Sequence, residues 1–165
     1  MKKLLISTSL LLLALISLAL IPGFVSTQQS NEVAYPEGYR DWTHVKTMIV
    51  EPGHPLYDPF GGIHHIYANE KALEGYKNGK FPDGAVIVFD LLEVVPSDNA
   101  VTEGSRKFVG VMQKNSKLFP ETAGWGFESF EGDAMDRSVK DMKADCFSCH
   151  YARIESDYVF SQYRK

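Results

Sequence analysis

The sequence has no cluster of positive charge. Its 17 lysines and arginines are outnumbered by 21 aspartates and glutamates, and the formal net charge of −4 becomes −6 without Lys2 and Lys3. A mildly acidic chain without basic runs matches the phosphate backbone poorly, so no nucleic-acid partner is expected. Internal repeats, low-complexity tracts and a second linker are also absent after about residue 34, which predicts a single domain over residues 35–165.

Cysteine is equally scarce. The chain has two, Cys146 and Cys149, and both lie in the stretch DCFSCH at 145–150. A structural zinc site needs a second pair of ligands at matching spacing, and the chain has none. A redox-active Cys-x-x-Cys expects a thioredoxin-like order of strand, turn and helix, which the surrounding sequence also lacks. Two interpretations remain: a disulfide, and a motif that the following histidine completes.

One long apolar run opens the chain. Lys2 and Lys3 precede an apolar segment over 4–24, and a Ser/Thr/Gln stretch follows it. This order predicts a secretory signal, although the run approaches the roughly 20 residues that span a bilayer. We therefore expect residues 1–26 to be a signal peptide or an N-terminal membrane anchor, and 27–34 a linker. Both alternatives place the domain outside the cytoplasm, in the periplasm or an equivalent compartment.

The remaining sequence alternates strand signals with turns. Asn69 can cap a helix that runs to about Asn78 and stops at Gly79. A second, polar helix is predicted from Ala134 to Lys143. Strands are predicted where β-branched and aromatic residues cluster between Gly, Pro and Asp turns: at about 44–51, 63–67, 85–94, 105–115 and 123–132. The fold class is therefore α+β, an antiparallel sheet with a few helices.

The pattern Cys-x-x-Cys-His is typical of covalent haem c attachment in an exported protein. Cys146 and Cys149 would form thioethers with the two vinyl groups, and His150 would be the proximal ligand of the iron. One turn of helix brings both sulfurs and the imidazole to one edge of the porphyrin. We therefore predict one covalently attached haem c, in preference to the disulfide.

The position of the motif limits the class of cytochrome. Only 15 residues follow His150, and none is Met or His, so a sixth ligand must come from upstream. Small helical cytochromes carry the motif near the N-terminus with a methionine downstream, which does not fit. Four-helix cytochromes c-prime carry it near the C-terminus, but their helical pattern is absent.

Several blocks of sequence resemble the cytochrome P-460 family, including its cytochrome c-prime-beta branch. In chain order they are YPEGYRDW (35–42), IYAN (66–69), FPDGAVIVFDLLEV (81–94), FVGVMQKNSKLFPETAGWGFESF (108–130) and CFSCH (146–150). The resemblance covers nearly the whole domain. It implies a periplasmic, β-rich haem c protein, usually a homodimer, with an open or weakly occupied distal side.

The resemblance also assigns the distal residues. Enzymes similar to cytochrome P-460 oxidise hydroxylamine and cross-link a lysine to the haem, at the position that Phe89 holds here. They place a carboxylate in the next strand, where this chain has Met112. The c-prime-beta branch instead caps the distal face with two phenylalanines, which Phe60 and Phe89 match.

Other roles for these residues stay open. Phe89 is also suited to an ordinary core position, and Met112 either fills space or ligates the iron. His64 and His65 are neighbours in a predicted strand, so they point to opposite faces and cannot both reach the iron.

Three functions follow. The first is binding of a diatomic gas, nitric oxide or carbon monoxide, in an apolar pocket capped by Phe60 and Phe89. The second is electron transfer to an unknown periplasmic partner, with His150 and Met112 as axial ligands. The third is oxidation of hydroxylamine or peroxide, which requires a proton acceptor that the expected position does not offer. We favour gas binding and rank the enzyme last.

Overall fold

The computed structural model describes residues 32–164; the predicted signal or anchor at 1–26 lies outside them. The described chain forms one antiparallel sheet of five strands in sequence order. The strands are β1 (Thr43–Val50), β2 (Gly62–Ala68), β3 (Val86–Ser97), β4 (Ala100–Lys114) and β5 (Trp125–Glu131). With a few short helices, this confirms the predicted α+β fold with an antiparallel sheet.

Strands β3 and β4 form a long hairpin that sets the register of the sheet. Asp98 and Asn99 connect them with positive φ angles of 47° and 64°, the conformation of the type I′ turns that match strand twist. The register places Phe89 opposite Gly110 and Ile87 opposite Met112. Directly paired residues share a face, so Phe89 and Met112 lie on the same side of the sheet.

Each face of the sheet carries a hydrophobic cluster. The first cluster includes Ile87, Trp125 and Phe127, with Phe89, Met112 and Cys146 packed against it. The second cluster lies on the opposite face and includes Val88, Val109 and Phe130. Val33 belongs to the second cluster and is 1% exposed. The packed domain therefore extends at least two residues before its predicted start at Tyr35.

The helix predicted after Asn69 is confirmed as α2 (Glu70–Asn78), which follows the single turn α1 (Tyr57–Phe60). The Asn69 side chain accepts a hydrogen bond from the Ala72 amide at 2.9 Å, and another from the Val86 amide at 3.0 Å. The cap therefore ties the start of α2 to the start of β3.

The helix predicted from Ala134 to Lys143 is wrong. Most of this segment is irregular, and Arg137 forms an isolated bridge with Phe130 of β5. The Glu128 carboxylate accepts from the Val139 amide at 3.2 Å and from the Arg137 guanidinium at 2.8 Å. These bonds from β5 satisfy backbone and side-chain donors that a helix would have paired internally.

A buried carboxylate holds the hairpin on the face opposite Phe89. Asp90 is fully buried, and Arg106 of β4 donates to it at 2.7 Å. Arg40 lies 3.4 Å from the other carboxylate oxygen and also pairs with Glu103. Turning Asp90 away from Arg106 would leave a buried charge without its partner, which is strongly unfavourable. Because side chains alternate along a strand, holding Asp90 on this face also holds its neighbour Phe89 on the opposite face.

Helical turns follow the irregular segment and carry the cysteines. A π-helical turn (Lys143–Phe147) leads into α3 (Ser148–His150) and then a 3-10 helix (Tyr151–Ser156). Among residues 32–164, no helix is long and apolar enough to cross a membrane.

Candidate haem-binding site

Cys146, Cys149 and His150 lie together in the helical segment near the C-terminus. Their spacing of three and four residues puts the side chains on neighbouring positions of successive turns. Cys146 is half-buried and packs against the first cluster, whereas Cys149 is exposed. The segment therefore presents two sulfurs and an imidazole together, as the haem c motif requires.

The two thiols are free, and the environment of Cys146 does not suit redox catalysis. Burial raises the pKa of the Cys146 thiol to about 11, and the nearby Asp145 and Glu128 carboxylates add to the shift. Reactive cysteines of disulfide oxidoreductases have lowered pKa values, because the thiolate is the nucleophile. The structure thus disfavours the redox interpretation of Cys-x-x-Cys on electrostatic grounds as well.

The His150 imidazole is oriented by a backbone carbonyl. Its Nδ1 lies 2.7 Å from the backbone carbonyl oxygen of Tyr158. A carbonyl oxygen can only accept a hydrogen bond, so Nδ1 carries the proton. The other nitrogen, Nε2, is left with a lone pair for a metal, the usual arrangement for a histidine ligand. Burial lowers the pKa of His150, which favours this neutral form.

A strained turn supplies that carbonyl. Asp157 and Tyr158 both have positive φ, at 52° and 69°. Such non-glycine residues cost of order 1–3 kcal/mol each unless the surroundings hold them. The Asp157 carboxylate accepts from the Phe81 amide at 2.8 Å and from Lys114 at 3.0 Å, while its carbonyl accepts from Trp125. The sheet therefore holds the turn that orients His150.

Three phenylalanines form an aromatic group on the same face of the sheet. We call Phe60, Phe89 and Phe108 the aromatic cluster. Phe89 stacks on Phe108 with a centroid distance of 5.7 Å and an interplanar angle of 23°, and Phe60 meets Phe89 edge-on at 5.7 Å. The structure thus brings together Phe60 and Phe89, which are distant in sequence.

Phe60 reaches this cluster because its loop is held at its end. Lys107 donates from Nζ to the Gly61 carbonyl at 2.8 Å. Gly62 has φ of 136°, and a Cβ there would lie 2.3 Å from the Leu92 carbonyl oxygen. Only glycine therefore allows the chain to enter β2 so close to β3.

Met112 lies on this face but closer to the helix with the haem motif. It pairs directly with Phe127, whose ring centroid is 5.0 Å from that of His150. Met112 is partly buried and packs against the first cluster. The structure thus associates it with the residues around His150.

The two adjacent histidines point to opposite faces, as strand alternation predicts. His65 faces the polar side, where its Nδ1 lies 2.8 Å from Thr47 Oγ1 and its Nε2 lies 2.7 Å from Glu103. His64 faces the side of the sheet that carries Phe89 and stacks on its ring with centroids 4.4 Å apart. Strand alternation predicted that the two histidines face opposite sides, but the register of the sheet was needed to show which of them faces Phe89.

Lys46 is a further residue on this face that the sequence did not reveal. It lies in β1 directly opposite Ile66, beside a register shift. Burial is the main reason that the pKa of His64 falls to about 4, and the charges of His65 and Lys46 lower it further. No signal in the sequence identified Lys46, because the bulge beside it changes which residues of β1 share the face.

The residues at this site suit a flat, largely apolar cofactor. Phe89 and Met112 occupy an inward face of the sheet, yet both are only partly buried. Phe60 and Phe160 are 37% and 50% exposed, and Phe160 packs against the His150 ring. Apolar side chains left uncovered between two thiols, an imidazole and an aromatic cluster fit haem c.

Comparison with known proteins agrees with this geometry. The sequence model of the family described as Cytochrome P460 matches residues 36–161. The chain belongs to the cytochrome P460 family. It is therefore a c-type haem protein, and the match covers the whole sheet together with Cys146, Cys149 and His150. The chain matches none of the curated proteins with which it was compared.

Proposed function

We propose that this cytochrome P460 family protein is exported, carries one haem attached through Cys146 and Cys149, and binds nitric oxide or carbon monoxide. His150 is its proximal ligand. The observation that carries the proposal is the contact between Phe60 and Phe89, on the face of the sheet against which Cys146 also packs. The haem supplies an iron with a ligand position that a gas can occupy.

An aromatic cap favours small neutral ligands. Phenylalanine side chains offer no hydrogen-bond donor or counter-charge, so an anion in contact with them would lose its hydration without compensation. Phe89 is also held between two neighbouring rings, which restricts its movement away from the pocket. The cap therefore admits a diatomic and slows the entry of any ligand.

Electron transfer with Met112 as a second axial ligand is less well supported. Such a ligand must approach the iron from the side opposite His150. Met112 instead pairs with Phe127, the residue that packs on the His150 ring. A role in packing beside the proximal histidine agrees better with this position.

An enzyme acting on hydroxylamine also finds little support. Phe89 stands where the enzymes would have lysine, and Met112 where they would have the carboxylate. His64 is a titratable group on the distal face, but its pKa of about 4 makes it a weak proton acceptor at neutral pH.

Replacing Phe89 tests the cap. Phe89→Ala should accelerate association of carbon monoxide with the reduced protein several-fold, because it removes the ring against which Phe60 closes. Phe89→Leu should give an intermediate rate. Stopped-flow mixing after reduction provides the measurement.

Tyr35→Ala is the matched control for Phe89→Ala. Tyr35 is a partly buried aromatic residue that packs on Phe130 in the second cluster, on the other face of the sheet. Its variant should bind carbon monoxide at the wild-type rate. An unchanged association rate in Phe89→Ala, with the haem content preserved, would show that Phe89 does not line the distal pocket.

A further inference from the structure

His64 is a buried polar side chain that the aromatic cap does not explain. It is 5% exposed, and its Nδ1 has no hydrogen-bond partner among the residues that the structure describes. Leaving a buried polar atom unsatisfied destabilises the folded protein. A ligand or a water molecule that the protein itself does not supply can pair such an atom.

The neighbouring histidine, His65, lies in a different environment. His65 has Thr47 beside one ring nitrogen and Glu103 beside the other. The two histidines differ in the face they occupy, since β2 alternates its side chains. His64 therefore lies on the face of the sheet that carries Phe89, and His65 lies on the face that carries Thr47 and Glu103.

Because the His64 ring stacks on Phe89, the edges of the two rings face the same space. The two rings are 4.4 Å apart at an angle of 28°. Rings stacked in this way present their edges in the same directions. A small ligand that meets the edge of Phe89 is therefore within reach of the edge of the imidazole.

The charge state of the imidazole suits a donor. Burial, with the charges of His65 and Lys46, lowers the pKa of His64 to about 4, so the ring is neutral at neutral pH. A neutral imidazole carries one N–H donor and one acceptor. It can donate to a ligand without placing a full charge in the apolar pocket.

We propose that His64 is the hydrogen-bond donor of the distal pocket, and that it makes the pocket select ligands that accept a hydrogen bond. Nitric oxide is such a ligand, whereas carbon monoxide is a poorer acceptor. This inference rests on the proposed function, since it assigns ligand specificity within the same pocket. Phe60 and Phe89 determine access, and His64 stabilises what has entered.

His64→Phe is the sharpest test, because it keeps an aromatic ring stacked on Phe89 and removes both nitrogens. Loss of a net hydrogen bond worth about 0.5–1.5 kcal/mol should speed nitric oxide dissociation roughly two- to tenfold. Carbon monoxide dissociation should change much less. The resonance Raman N–O stretch of the nitric oxide complex should shift to higher wavenumber, as expected when the donor to the ligand is lost.

Two further variants separate the outcomes. His64→Gln keeps a donor and should restore part of the slow dissociation, and it also serves if His64→Phe does not fold. His65→Phe, the control on the opposite face, should leave both rates and the N–O stretch unchanged. If the wild type binds neither gas, the proposed function fails. If it binds nitric oxide and His64→Phe matches it in rate and N–O stretch, only the role of His64 is overturned.

Discussion

Combined replacement of Cys146 and Cys149 by alanine should release all haem on extraction with acidified acetone. Thioether bonds survive this treatment, whereas axial ligation by His150 alone does not, because acid protonates the imidazole. The intact mass of the extracted wild-type protein should exceed that of the polypeptide by one haem. The extracted double variant should have the mass of the polypeptide alone.

The single variants make this prediction more specific. Cys146 is half-buried against the first cluster, while Cys149 is exposed. Each single variant retains one sulfur of the motif and should keep haem covalently bound through it. Extraction of all haem from the wild type would contradict covalent attachment. Haem retained by the double variant would show that another residue forms the bond.

Replacement of His150 by alanine should abolish proximal ligation while leaving the thioethers able to form. The iron–histidine stretching band of the reduced protein should disappear, and the absorption spectrum should change accordingly. Because the His150 ring lies between Phe127 and the half-exposed Phe160, its removal leaves a space that is open to solvent. Added imidazole should therefore enter this space and restore the band.

His44→Ala is the control for a general effect of losing a histidine. His44 is exposed and lies near Tyr67 and Thr47, away from His150. This variant should keep the band and show no response to imidazole. If the iron–histidine band persists in His150→Ala without added imidazole, another residue is the proximal ligand.

The sheet was predictable because its signals are local. Alternation of β-branched and aromatic residues located all five strands, and Asn69 and Gly79 marked both ends of α2. The failed helix at 134–143 has polar residues without strong turn signals. Its conformation depends on Glu128 and Phe130 of β5, and local propensity does not contain such tertiary contacts.

The site was predictable only where a motif carries the chemistry. Cys146, Cys149 and His150 follow from spacing alone, and their roles stay predictions until haem attachment is measured. The choice of His64 over His65 depends on register, which adjacent residues cannot reveal. The Asp157–Tyr158 turn that orients His150 contains no glycine, so no residue in it indicated a left-handed backbone.

The absorption spectrum of the purified protein, oxidised and reduced, with and without nitric oxide, tests the central claim most directly. Gas binding at a capped pocket predicts a high-spin oxidised protein without the far-red band of sulfur-to-iron charge transfer, and a reduced spectrum that changes on addition of nitric oxide. A low-spin protein with that band, unchanged by nitric oxide, would contradict the account and identify Met112 as the sixth ligand of an electron carrier.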